Sequence, residues 1–194
     1  PDAEELMNYT LTRNIKKLSV GQIVYSAMCY ENGTMFDDGT LLRLSETGFR
    51  WVCGDEYAGE WLKEQAEKKK FKVIIKNSTD QINNLSVQGP NSRKILEKII
   101  FTPPTQPTIS ELQWFRFTIC RLEELNGIPL IVSRTGYTGE LGYEVWCHPD
   151  HAPKVWDKIM EVGKDDGLIP AGFGALDLLR IEAGLVLFGN EFDG

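Results

Sequence analysis

Two adjacent carboxylates, Asp37-Asp38, stand in the middle of a run that otherwise reads as a β-strand. Aspartate is depleted in strands and two neighbouring carboxylates repel one another, so propensity does not account for the pair. Strand alternation places Asp38 with Phe36 and Leu42, and Asp37 with Met35 and Leu41. Whichever carboxylate faces a core needs a hydrogen-bonding partner or a ligand. The plain structural reading is an edge strand with both carboxylates in water, or one of them bonded to backbone amides. A second segment runs Arg134-Thr135-Gly136-Tyr137-Thr138-Gly139-Glu140-Leu141-Gly142-Tyr143-Glu144, with a glycine at every third position between two strands. Glycine permits positive φ or close approach of the backbone to a ligand. The walls are tyrosine and carboxylate rather than lysine and a helix N-terminus, so a nucleotide phosphate is a poor match. A planar ring with several N–H donors fits better: Tyr137 or Tyr143 can stack on it, and Glu144 can accept two parallel hydrogen bonds. The competing reading is a hairpin loop with incidental tyrosines.

Other reactive residues are sparse. The segment from Gly172 to Gly184 reads as a packed helix in which Asp177 and Arg180 pair along one face. Four cysteines, at 29, 53, 120 and 147, form no C-x-x-C pair and sit in apolar runs, as buried free thiols do. His148 and His151 are the only histidines, and no metal site is expected. The net charge of −7 disfavours nucleic acid as a partner. The basic run Lys68-Lys69-Lys70 reads as the solvated end of a helix. No apolar stretch is long enough to span a membrane, and the first residues have the features of no signal peptide. A cytoplasmic protein is expected, or a mitochondrial matrix protein in a eukaryote.

The elements that must position these residues alternate between hairpins and helices. A helix is expected over residues 2–10, a strand from Ile23 to Tyr30, a two-residue turn at Asn32-Gly33, and strands over 35–44 and 49–53. Ala58, Trp61, Leu62 and Ala66 mark a helix face, and Phe71 to Ile75 a β-branched strand. Residues 84–88 read as a strand closed by Gly89-Pro90, which opens a helix over 90–99. Three prolines and three threonines over 102–110 read as a linker, dividing the chain into subdomains at 1–101 and 102–194. Strands follow at 115–121, 129–134 and 142–147, then a helix on Ala152, Val155, Trp156, Ile159 and Met160, and a last helix over 172–186. Hairpin-linked strands outnumbering helices predict an α+β fold, with mixed and antiparallel sheets and flanking helices.

Taken together, these segments resemble the aminomethyltransferase (T-protein) family of the glycine cleavage system. The resemblance is carried by Pro1-Asp2-Ala3, the Tyr25…Asn32-Gly33…Asp37-Asp38 hairpin, Val87-Gln88-Gly89-Pro90, the Arg134-to-Glu144 loop, and Leu179-Arg180-Ile181-Glu182-Ala183 before Gly189-Asn190. The T-G-Y-T-G-E-x-G-Y-E loop is its most specific part. It implies a fold of three domains around a central hole holding tetrahydrofolate. This chain would supply the first two, without the family's opening residues or its C-terminal β domain. It also implies a catalytic carboxylate at Asp38 and cofactor contacts at Tyr25, Val52, Tyr137 and Glu144.

The implied reaction is transfer of an aminomethyl group from a lipoyl carrier protein to tetrahydrofolate. Asp38 would manage the proton or positive charge that develops, and Glu144 would orient the pterin. The chain departs from the family at Leu176, where many members have arginine, at Leu42, where a tyrosine is usual, and at Gly54 or Asp55 in place of an asparagine. These departures keep open a folate-dependent demethylase acting on a small S-, N- or O-methylated compound. A non-catalytic folate- or tRNA-binding relative is the reading from another class; the acidic charge and the absence of its K-G-C motif oppose it.

Overall fold

The computed structural model describes residues 1–191, which pack as two compact units: residues 1–77 with the segment from Val186 on, and residues 78–185. In the first unit an antiparallel sheet of β1 (Ile23–Cys29), β2 (Met35–Arg43) and β3 (Phe49–Cys53) is joined by α1 (Ala3–Thr10) and α2 (Tyr57–Lys69). Alternation in the strands and four-residue spacing in α2 gather one apolar set. Val24, Met28, Leu41, Phe49 and Trp51 of the sheet meet Leu6 and Met7 of α1 and Ala58, Leu62 and Ala66 of α2. Cross-strand register puts Tyr25, Thr40 and Val52 in one row on the opposite face, with Asp38 one step along it.

Between β1 and β2 the chain departs from regular pairing twice. The connection is a three-residue loop rather than the expected two-residue turn: Tyr30 N–H bonds Thr34 O at 2.8 Å, and Gly33 takes φ +88°. Directly afterwards Met28 pairs with Asp37 but Cys29 pairs with Met35, so Phe36 is the extra residue of a β-bulge. The bulge cancels the simple alternation. Phe36 turns to the core, 5.1 Å from Tyr30 and 5.3 Å from Trp61 between ring centroids, and so lies on the other face from Asp38. Asp37 shares the core side and is buried, 1% exposed.

The burial of Asp37 is resolved by backbone donors. One carboxylate oxygen accepts the Asp38 N–H at 2.8 Å and the other the Asp55 N–H at 3.2 Å. Asp55 in turn accepts the Tyr57 N–H at 2.8 Å, at the start of α2. One buried carboxylate therefore ties β2 to the β3–α2 junction. Burial, and then the charge of Asp37, push the Cys53 thiol up to about 12; burial does the same to Cys120. Both are protonated packing groups at neutral pH.

Phe71 to Ile75 is not a strand. Phe71, Val73 and Ile75 pack alternately against the core while Ile74 is fully exposed, yet among the described residues no strand is paired with them. Instead Asp2 serves Lys72, its carboxylate accepting the Lys72 N–H at 2.8 Å.

The second unit is a five-stranded antiparallel sheet in the order β4 (Asn83–Gln88), β8 (Gly142–Cys147), β7 (Pro129–Ser133), β6 (Phe117–Leu122), β5 (Ile100–Phe101). One face packs Val87, Tyr143, Val145, Val132 and Cys120 with Leu96 of α3 (Ser92–Glu97) and Val155 and Ile159 of α4 (Ala152–Gly163). The proline- and threonine-rich stretch is a loop, but it joins β5 to β6 inside this unit. The division falls at Asn77/Ser78 instead of after residue 101, because β4 and β5 find their partners only in later strands. The last helix, α5 (Phe173–Glu182), is shorter than expected. Among its side chains Arg180 is buried, bonded to Asp177 at 2.8 Å, while Phe173, Leu178 and Ile181 are exposed. It is not the packed helix its sequence suggests. Among the described residues no helix is long and apolar enough to cross a membrane.

Two expectations about stability follow. A Cβ on Gly39 would sit 2.1 Å from the Val52 carbonyl oxygen, a backbone atom, so Gly39→Ala must push β2 and β3 apart. It should lower stability by about 1–3 kcal/mol. Gly59, on α2 with open space around it, should gain about 0.5–1 kcal/mol on replacement by alanine. Urea titration of the three proteins measures both, and an unchanged midpoint for Gly39→Ala refutes the close approach. Asp37→Asn replaces an acceptor oxygen by an NH₂ that faces a backbone N–H, and should destabilise by about 1–3 kcal/mol. Asp38→Asn, half exposed, should leave the same midpoint nearly unmoved; equal losses at both positions would contradict the burial of Asp37 alone.

Candidate functional site

The residues singled out for chemistry fall into two sets, one in each unit. In the first unit, β1 and β2 place Tyr25 diagonally across from Asp38, and the Tyr25 hydroxyl donates to an Asp38 carboxylate oxygen at 2.5 Å. The other oxygen of Asp38 carries no hydrogen bond among the described residues, and the side chain is half-buried. Val52 lies in the Tyr25 row on β3, beyond Thr40 of β2, so the three residues share one face of the sheet, turned away from the helices. Leu42 lies on that face too and is buried. The bulge at Phe36 makes the two aspartates unequal: Asp37 is consumed by backbone donors, and Asp38 retains acceptor capacity.

In the second unit, β8 carries Glu144 on the face opposite the core, between Ser86 of β4 and Ser133 of β7. One oxygen of Glu144 accepts from the Asn84 carboxamide at 2.7 Å, and the other accepts from the Thr135 hydroxyl. A carboxylate offers roughly four lone-pair positions, so two remain. Glu144 is half-buried, which leaves those positions within reach of a ligand. Tyr137 lies in the loop, half-buried. Tyr143, the other tyrosine able in principle to stack on a ring, is fully buried in the core; its hydroxyl accepts from the Arg93 guanidinium at 3.1 Å. That side chain is structural.

The loop glycines serve packing more than ligand approach. A Cβ on Gly136 or Gly142 would fall 2.1 or 1.6 Å from the Gln88 side-chain oxygen. The Gln88 carboxamide fills that space, donating to the Tyr143 carbonyl at 3.2 Å and the Thr135 carbonyl at 3.3 Å and accepting from the Thr138 hydroxyl at 3.4 Å. Gly139, at φ +74°, is the turn position proper. Gln88, Asn84, Ser133 and Thr135 were not identified as site residues from the sequence. The only signal for Gln88 was membership of the Val87-Gln88-Gly89-Pro90 turn and for Thr135 membership of the glycine-rich segment; Asn84 and Ser133 were ordinary residues of expected strands. A cleft of about 240 Å³ beside Tyr9, Tyr30, Trp61 and Gln65 includes none of the residues of either set.

The model of the family described as the GCVT N-terminal domain matches residues 1–194. A trimethylamine-oxide aldolase of Ruegeria pomeroyi is 52% identical over 192 residues, covering 99% of this chain and 24% of that protein. An aminomethyltransferase of Halothermothrix orenii is 38% identical over 196 residues, 100% of this chain and 52% of its own length. Among solved structures, the glycine cleavage system aminomethyltransferase T of Bartonella henselae superposes with a TM-score of 0.78 at 28% identity, over 100% of this chain and 49% of that one. The chain thus spans about half the length of the aminomethyltransferases it matches and about a quarter of the aldolase. With its α+β architecture and its whole length matched, the chain belongs to the family of the GCVT N-terminal domain, that of the aminomethyltransferases.

Proposed function

We propose that this chain binds a reduced folate and forms the cofactor-binding part of an enzyme that transfers one-carbon units to it. The observation that carries the reading is Glu144, a half-buried carboxylate anchored through both oxygens with acceptor positions left over. A pterin ring presents a ring N–H beside an exocyclic amino group, and two acceptors in one plane match that donor pair. The Asp38 carboxylate, held by Tyr25 and open at its second oxygen, suits a group that develops positive charge.

When bound, reduced folate supplies the nucleophilic nitrogen, N5, that accepts the one-carbon unit. Glu144 would hold the pterin edge and Tyr137 would contact the ring. The Tyr25 hydroxyl orients the Asp38 carboxylate, whose remaining oxygen would take a proton or stabilise developing positive charge. Val52 contributes apolar contact.

The donor favoured by the relatives named aminomethyltransferase is an aminomethyl group on a lipoyl carrier protein. A second reading has its own support: the 52% identity to a trimethylamine-oxide aldolase, with Leu42 and Leu176 in the departing positions, points to a small N-methylated compound as the one-carbon source.

Titration calorimetry of the purified protein with tetrahydrofolate or folinic acid should show saturable binding. No heat and no thermal shift at millimolar ligand removes the folate reading. Asp38→Asn should retain most of the affinity while turnover falls by roughly 10²–10⁴-fold. Glu144→Gln should raise Kd roughly 10- to 150-fold, and Tyr137→Phe less, since the ring is kept. An unchanged Kd with a lowered melting temperature in Glu144→Gln would assign Glu144 to the scaffold. Offering the aminomethyl-lipoyl carrier and trimethylamine N-oxide separately, and following methylenetetrahydrofolate, decides between the donors.

A further inference from the structure

Behind Glu144 lies a chain of buried hydrogen bonds with one direction. The Trp146 indole N–H donates to the Ser133 hydroxyl at 3.1 Å. Ser133 and Thr135 are bonded to each other at 2.7 Å, and Thr135 donates to Glu144. An indole nitrogen can only donate and an ionised carboxylate can only accept, so both ends are fixed. The Thr135 proton is committed to Glu144, hence Ser133 must donate to Thr135. All three residues behind the carboxylate are more than nine-tenths buried: Ser133 0%, Thr135 5% and Trp146 8% exposed. No water competes for the hydroxyls, and each donor polarises the next.

The relay begins on the same strand as Glu144 and returns to it through β7. Trp146 stands two residues beyond Glu144 on β8, Ser133 is paired opposite Glu144 at the end of β7, and Thr135 opens the glycine-rich loop. The loop's first residues are held by Gln88, which takes the Thr135 carbonyl at 3.3 Å. Thr135 thus has its backbone clamped from one side and its hydroxyl proton aimed from the other. With Asn84 holding the second oxygen, the carboxylate plane has no freedom to rotate.

We infer that Thr135 is a positioning residue, whose hydroxyl, aligned by Ser133 and Trp146, sets the plane in which Glu144 receives the paired N–H donors of the ligand. The inference rests on the folate reading and adds to it the element that makes Glu144 selective for a donor pair over a single donor. Without the Thr135 hydroxyl the carboxylate is pinned at one oxygen only and can swing about its terminal torsion, which is a broad, soft coordinate. Two-point acceptance loses its preorganisation, whereas a single hydrogen bond survives the swing.

The test is calorimetry on the full chain with tetrahydrofolate and with an analogue lacking the 2-amino group. Thr135→Val, which keeps the shape and removes the proton, should raise the Kd for tetrahydrofolate about 5- to 10-fold, the effect of one hydrogen bond. It should leave the Kd of the 2-desamino analogue unchanged, since that ligand offers only one donor. Thr135→Ser should restore the wild-type value. In a Glu144→Gln background Thr135→Val should cost nothing further, because both substitutions remove the same interaction. A Thr135→Val effect that is equal for both ligands, or that adds to Glu144→Gln, overturns the positioning role and makes Thr135 a stability residue. Should Thr135→Val fail to fold, Thr135→Ala, which also removes the hydroxyl, supplies the same comparison. Wild-type protein that binds neither ligand overturns the folate reading itself, and that outcome is separate from wild-type binding with an unaltered Thr135→Val.

Discussion

A polar group taken out of water must find its hydrogen bonds inside the protein, and this single requirement shapes both units. In the first unit the group is the Asp37 carboxylate, which lies on the core side of its sheet because the bulge at Phe36 turns it there. Its partners are backbone N–H groups of its own strand and of the β3–α2 junction. In the second unit the groups are the buried hydroxyls of Ser133, Thr135 and Thr138, and beside them the half-buried Gln88 carboxamide occupies the space that two glycines leave and bonds the strand and loop around it. Neither set is surplus to the fold. Each links segments distant in the chain.

These links place the residues available for chemistry. With Asp37 satisfied internally, its neighbour Asp38 is delivered to the opposite face with Tyr25 and Val52, one oxygen tied and one open. With Gln88 clamping the loop, Thr135 is set against Glu144, and the buried hydroxyls of Ser133 and Thr135 connect that carboxylate to the Trp146 indole. The same arrangement recurs in both units. A buried, hydrogen-bonded polar residue, Asp37 in one and Thr135 in the other, stands next to a half-buried carboxylate that keeps acceptor capacity.

The pair of aspartates shows why residue type alone is a poor guide to role. The two side chains are identical and adjacent, yet one is 1% exposed and bonded to backbone donors while the other is half-buried beside a tyrosine. The difference originates in one extra residue in a strand. The tyrosines Tyr137 and Tyr143 show the same thing six residues apart: one lies half-buried in the loop, the other is sealed in the core against Arg93.

Much of the local structure was legible in the sequence, because it depends on side-chain period and turn chemistry. Phe49–Cys53 is a strand, the spacing from Ala152 to Met160 gives a helix, and Asn32-Gly33 marks the turn. The α+β class and the glycine-rich loop followed from the same signals, and the family resemblance added Asp38 and Glu144 as expected site residues. What tertiary structure alone decided are pairings between residues far apart in sequence. The bulge exists because Cys29 pairs with Met35 and Met28 with Asp37, a relation between two strands that neither contains. Phe71–Ile75 has the alternation of a strand but, among the described residues, no strand paired with it. The unit boundary lies before β4 because β4 pairs with β8, Asn83 opposite Cys147. Asn84, Gln88, Ser133 and Thr135 are ordinary polar residues when read in order. They become a support for Glu144 only where β4, β7 and β8 lie side by side, since a hydrogen bond depends on distance in space and not on position along the chain.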